Sequence, residues 1–304
     1  MTALSRRTLL ASAAAGLAAS ALPAIAAPTT FKHGAFDVMV VSDGHLELPV
    51  TFIAPDAPAA ERDGILKETG VTGAQYNSPT NVTLLKRGDD LVLIDMGSGG
   101  RFMPTAGKLW ANLEAAGIDK AKIKHVIFTH GHPDHLWGAV DEFDDLQIPD
   151  ATFHVGANEW NFWEGDNALR SIAPERAGFV TGARRNYAAI KDRIKTMKPG
   201  DEVLPGVHVL DTPGHTQGHV SLSLDGGDGL IVGGDVLTHP IISFRHPEWR
   251  PATDHVPEQA VETRKKFLDR LASERSALIG FHLPYPGRGM VERKDGAYRF
   301  VATV

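Results

Sequence analysis

One heptapeptide limits this chain more than any other feature. Thr129-His130-Gly131-His132-Pro133-Asp134-His135 follows the apolar run Lys124 to Thr129, which reads as a buried strand, and precedes the apolar Leu136-Trp137-Gly138-Ala139. With 14 histidines in 304 residues, the pattern H-x-H-x-D-H would arise by chance in about two sequences per thousand of this composition. A strand end turning into a helix splays His130 and His132 toward one point, and Asp134 and His135 reach a neighbouring one. One short loop can thus serve two cations about 3.5–4 Å apart, the spacing of two-metal hydrolytic sites.

One loop does not complete two coordination shells, so further ligands are expected at other strand ends. His215 closes Thr212-Pro213-Gly214-His215 after the run Val207 to Asp211, Asp235 closes Gly233-Gly234-Asp235 after Leu230 to Val232, and His282 closes Gly280-Phe281-His282 after Ala277 to Ile279. Any one of them alone reads as a turn residue or cap. Three in one chain, downstream of H-x-H-x-D-H, read as ligands. Cysteine is absent, which excludes disulfides, thiolate nucleophiles and thiolate ligands and leaves imidazole and carboxylate to hold any transition metal.

At 42% apolar and 22% charged residues, the chain can bury a substantial core. Its 31 basic and 37 acidic residues give a net charge of −6, which offers no footing for nucleic acid or an anionic membrane. Residues 1–26 read as an address: Ser5, Arg6 and Arg7 precede an alanine-rich run from Thr8 to Leu22, and Ala24-Ile25-Ala26 suits a signal peptidase. The segment resembles a twin-arginine export signal. Its apolar run is about 15 residues, short of the roughly 20 that span a bilayer. A mature chain of residues 27–304, periplasmic or secreted and without a membrane span, is the expectation.

In that chain the sequence predicts strands at Phe36 to Val41, Asn81 to Leu85, Leu91 to Asp95 and Lys124 to Thr129, with a helix from Thr105 to Ala116 stopped by Gly117. Thr152 to Val155 is a short strand, and Asn158 to Met197 reads as a helical capping insertion. Val207 to Asp211, Val220 to Leu224 and Leu230 to Gly233 are strands, Pro257 to Ala272 is a helix, and Ala277 to Phe281 is a last central strand. Two comparable halves of strands and helix give one mixed α/β (α+β) domain, two sheets face to face covered outside by helices.

The ordered set His130, His132, Asp134, His135, His215, Asp235 and His282 resembles the complete binuclear signature of the metallo-β-lactamase superfamily. The resemblance implies the αββα four-layer sandwich, with His130, His132 and His215 on one metal, Asp134, His135 and His282 on the other, and Asp235 bridging both. Zinc is the default pair of divalent ions, and manganese, iron or cobalt suit the same ligands. Metal coordination lowers the pKa of water to about 7, so a hydroxide nucleophile is available without serine or cysteine. Catalysis would then rest on His130, His132, His135, Asp134 and Asp235, with Asp134 also orienting the nucleophile or relaying its proton.

The twin-arginine start, the length, Gly214-His215-Thr216-Gln217-Gly218-His219 and the tail His282-Leu283-Pro284-Tyr285-Pro286-Gly287 are most similar to the methyl parathion hydrolase branch. That branch implies a small-molecule lactone, ester or phosphotriester substrate, homodimerisation, and an aromatic pocket near Phe102, Trp163 and Phe179, with Trp160 as a competing position. Acyl-homoserine lactonases share the ligands but carry a tyrosine where Thr238 stands. The bridging Asp235 argues against β-lactam hydrolysis, and an export signal argues against a glyoxalase-type thioesterase. A mononuclear iron persulfide dioxygenase is the alternative from another class. Among the other histidines, His239 is a candidate to orient Asp235 or contact substrate, while His33, His45, His125, His154, His208 and His255 are expected at the surface or in structural roles.

Overall fold

The computed structural model describes residues 27–303, so residues 1–26, read from the sequence as an export segment, lie outside the described residues. The chain runs through β1 (Thr29–His33), β2 (Phe36–Pro49), β3 (Gln75–Arg87), β4 (Asp90–Ile94), β5 (Ile123–Ile127), β6 (Thr152–Gly156) and β7 (Ile194–Met197), which form one sheet in sequence order. The second sheet contains β8 (Glu202–Leu204), β9 (Val207–Asp211), β10 (Val220–Leu224), β11 (Leu230–Val232), β12 (Ala277–Ile279), β13 (Arg288–Lys294) and β14 (Ala297–Ala302), again in order. β4 to β7 pair in parallel, as do β11 and β12, and the remaining ladders are antiparallel.

Side-chain alternation builds the layers. In β4, Leu91 and Leu93 face the helices outside the first sheet, while Val92 and Ile94 face the second sheet. In β11, Leu230 and Val232 meet that same inter-sheet core, and Ile231 turns outward to join Phe267, Leu268 and Leu271 of the helix Pro257–Glu274. Three stacked apolar layers result, and the architecture is the αββα sandwich.

Several elements differ from the sequence expectation. The helix expected from Thr105 begins only at Leu109 and runs to Ala115, because Asp43, buried beneath it, draws the preceding residues into a loop. Its carboxylate accepts hydrogen bonds from the backbone N–H groups of Ser98, Gly107 and Leu109, and burial raises its pKa to about 6. The insertion resolves into helices Ala157–Glu164 and Ala177–Ile190, but its last residues, Ile194–Met197, join the first sheet as β7. β12 is not the last strand, since the β13–β14 hairpin follows it and closes the edge.

Candidate metal centre

Each of the seven residues follows the end of a strand, and the strand ends converge. His130 to His135 follow β5, His215 follows β9, Asp235 follows β11 and His282 follows β12. Ligand-type atoms of His130, His132, His215 and Asp235 lie within 4.8 Å of one another, and so do those of Asp134, His135, Asp235 and His282. All seven side chains are buried, and Asp235 belongs to both groups. The His132 Nδ1 lies 3.0 Å from His130 Nε2 and 2.9 Å from His215 Nε2. Asp235 Oδ1 lies 3.2 Å from His135 Nε2, and its Oδ2 lies 3.1 Å from His282 Nε2.

These residues fit divalent cations. Asp134 Oδ2, His135 Nε2 and Asp235 Oδ1 are buried and make no well-directed hydrogen bond, although His135 Nε2 lies 3.5 Å and 3.2 Å from the two carboxylate oxygens. Three orphaned donor atoms aimed at one point are what an ion would satisfy. Burial, reinforced by neighbouring imidazoles, holds His130 and His132 well below their ordinary pKa, in the neutral form that ligates. Burial would lower His135 as well, but Asp235, Asp134 and Asp95 outweigh it and raise it well above 6.5. His215 is raised to about 9 and His282 to about 10, again against burial, by Asp235 and Asp254 and by Asp235 and Asp134 respectively. Carboxylate charge in the cluster is thus matched by imidazolium charge, which divalent cations would replace on binding.

Buried polar residues fix the rings from behind. His215 Nδ1 lies 3.0 Å from Asp254 Oδ1, and Asp254 Oδ2 accepts from Arg264 Nη2 at 2.9 Å. His135 Nδ1 lies 2.8 Å from Asp95 Oδ2, which also accepts from Thr129 Oγ1. Asp95 adopts φ 65, in the left-handed region that aspartate tolerates better than most residues. The His282 Nδ1 lies 2.8 Å from Pro79 O.

Glu159 joins two ligand loops. Its Oε1 accepts from Gly131 N, between His130 and His132, and from Trp163 Nε1; its Oε2 accepts from Thr216 Oγ1 and Gly218 N, beside His215. The approach needs glycine: a Cβ on Gly131 would stand 2.4 Å from Trp163 Nε1, and one on Gly218 would stand 2.0 Å from Glu159 N. Burial raises the Glu159 pKa, and the four hydrogen bonds oppose the shift.

Three sequence expectations are corrected here. Trp163 is fully buried beneath the His130 loop, where its indole N–H serves Glu159, and it does not line the cavity. Trp160 packs on Tyr187 at 5.2 Å, also away from the cavity lining. His239 does not orient Asp235, since its Nδ1 accepts from Ile241 N and Ile242 N. That task falls to His219, whose Nε2 accepts from Asp235 N at 2.9 Å. His255, expected at the surface or in a structural role, is half-buried against the cluster, its Nε2 2.9 Å from His132 Nε2.

Above the cluster opens a cavity of about 640 Å³ whose floor includes His132, Asp134, His215, Asp235 and His282. Leu46, Leu48, Phe52, Ile53, Met103, Pro251, Phe102 and Phe179 supply apolar walls, and Thr238 lines it too. Phe102 and Phe179 meet edge to face at 5.8 Å, and Phe179 stands 6.0 Å from the His132 ring.

A model of the Metallo-beta-lactamase superfamily matches residues 76–282, and the chain belongs to that superfamily. The probable metallo-hydrolase YqjP of Bacillus subtilis (strain 168) is 25% identical over 228 residues, covering 68% of this chain and 66% of its own length. The probable metallo-hydrolase YflN of the same organism is 30% identical over 156 residues, covering 48% of this chain and 56% of its own. This chain therefore spans less than two thirds of the length of these two curated relatives. Among solved structures, the hydrolase AbOPH of the β-lactamase superfamily superposes with a TM-score of 0.86 at 28% identity, covering 92% of this chain and 98% of that one. AidC, a dizinc quorum-quenching lactonase solved with a hexanoyl-homoserine product, superposes with a TM-score of 0.86 at 26% identity and the same coverage.

Proposed function

We propose that this protein is an exported, binuclear metal-dependent hydrolase of lactones, esters or phosphotriesters. The observation that carries the reading is a pair of four-residue ligand groups sharing Asp235 on the floor of an apolar cavity. Divalent ions, zinc by preference for an imidazole-rich set, would supply Lewis acidity and a water acidified toward neutral pH. His130, His132 and His215 would hold one ion, Asp134, His135 and His282 the other, and Asp235 both.

The chain's own residues do the rest. Asp254, Asp95 and Pro79 O set the ring orientations of His215, His135 and His282. Asp134, whose Oδ2 makes no well-directed hydrogen bond within the protein, would help hold its ion and orient a nucleophile or relay its proton at the floor. Phe102 and Phe179 exclude water beside the reacting group and favour substrates with an apolar arm. Similarity to a dizinc lactonase and to the hydrolase AbOPH supports this class. The twin-arginine segment supports export, which cell fractionation of the full chain tests.

A hydrolysis panel with metal-loaded protein decides the reading: homoserine lactones, dihydrocoumarin, aryl acetates, methyl parathion and nitrocefin. Turnover of at least one lactone, ester or phosphotriester is expected, with nitrocefin inert. A fully loaded protein inactive on all three classes overturns the proposal.

A further inference from the structure

Among the described residues, Arg176 is the one arginine or lysine lining the cavity, and nothing in the ligand cluster uses it. Arg176 precedes the helix Ala177–Ile190 and is half-buried on the wall beside Phe179. One of the five N–H groups of its guanidinium has a protein acceptor, Nη2 donating to Ala252 O at 2.7 Å. Among the described residues, no carboxylate pairs with it at ion-pair distance. Glu175 and Asp254 act on it only through their charge. Arg176 lines the same cavity as His132 and Phe179.

The competing charges on the wall are weaker partners. Glu47 and Glu175 also line the cavity, but both are exposed, and exposed charges are screened by water and salt. A half-buried guanidinium in a largely apolar wall keeps more of its attraction. Guanidinium is also better suited than ammonium to grip a carboxylate through two parallel hydrogen bonds.

Resting on the hydrolase reading above, we propose that Arg176 is a specificity-determining residue that binds a carboxylate carried by the substrate away from its scissile bond. The preferred substrate class is therefore an anionic ester or lactone, with the carboxylate on the arm that lies along the Arg176 wall. Arg176 would take no part in bond breaking, so its contribution falls on substrate binding.

The test compares para-nitrophenyl hydrogen glutarate with para-nitrophenyl pentanoate, which differ by a terminal carboxylate in place of a methyl group. Arg176→Gln keeps a donor for Ala252 O and removes the charge, and Arg176→Lys keeps the charge and loses the fork. Charge-assisted hydrogen bonds support an expected loss of about tenfold or more in kcat/KM for the glutarate ester in Arg176→Gln, through KM, with the pentanoate ester within about twofold. Arg176→Lys should fall between the two. An equal change on both esters, or no change on either, overturns the proposal. Calorimetric binding of glutarate and pentanoate to metal-loaded protein supplies a readout that needs no turnover. Wild type should favour glutarate, and Arg176→Gln should erase that preference; an unaltered ratio overturns the assignment. A protein that hydrolyses neither ester counts against the hydrolase reading, while calorimetry still decides Arg176.

Discussion

Glu159 and Gly131 are tied by a 2.7 Å hydrogen bond from the glycine N–H to the carboxylate Oε1, which holds the peptide between His130 and His132 against the helix beneath it. The four groups around Glu159 all donate: Gly131 N, Trp163 Nε1, Thr216 Oγ1 and Gly218 N. In Glu159→Gln an amide NH₂ would face two of those donors. Zinc affinity should fall about 10–100-fold, the usual cost of losing a group that orients ligands. Competition with a chromogenic chelator measures this, and an unchanged affinity would show that the loops hold themselves.

Arg264 and Asp254 form a buried pair behind His215, at 2.9 Å. Arg264→Met would leave Asp254 Oδ2 without its partner while His215 still faces Oδ1, and removing one partner of a buried pair costs up to about 3–5 kcal/mol. Urea unfolding should register that loss. Asp254→Asn is expected to be gentler on stability and harsher on metal affinity, because the ring of His215 loses its charged anchor.

Two aromatic residues should separate cleanly. Trp163 is fully buried and serves Glu159, so Trp163→Ala should cost about 3–5 kcal/mol of stability. Phe179 is partly exposed on the cavity wall, so Phe179→Ala should alter KM and leave the unfolding midpoint nearly in place. The reverse pattern would reassign the two rings.

Exhaustive chelation should abolish hydrolysis, and added zinc, manganese or cobalt should restore it. Thermal unfolding of the loaded and stripped forms should differ as well, since an ion that binds the folded chain alone stabilises it by mass action. Unaltered turnover after chelation would refute a metal-dependent mechanism.

Part of the acid sensitivity should trace to a pair remote from the cavity. His125 Nδ1 and His154 Nε2 are 3.2 Å apart. Burial, with the neighbouring imidazole and Lys195, lowers His154 from 6.5 to about 4. The unfolded chain takes up this proton near pH 6.5 and the folded chain near 4, so the stabilisation is complete above 6.5 and is lost as the pH falls toward 4. His154→Gln should flatten the fall in unfolding free energy across that window, as measured by urea titration at several pH values. A slope identical to wild type would place the acid response elsewhere.

The seven ligand-type residues were legible because each ends an apolar strand, a position where side chains from distant segments meet. Glu159 was not legible, since an acid in the first turn of a helix reads equally well as a partner of the helix dipole. Asp254 and His255 sit in a loop with no periodicity to flag them. Asp95 did carry a signal: it closes the apolar run Leu91 to Ile94, much as Asp235 comes shortly after Leu230 to Val232. The β13–β14 hairpin escaped notice because much of it faces solvent and its sequence lacks a clean alternation. Trp163 was misplaced because residue type does not tell a cavity wall from the packing beneath it.

His130, His132, Asp134 and His135 descend from one sheet, and His215, Asp235 and His282 from the other. Each four-residue group therefore borrows from both halves of the chain. Cations seated there would rivet the two sheets along their shared rim, so that starving the protein of metal would loosen a mechanical joint as well as silence a reaction.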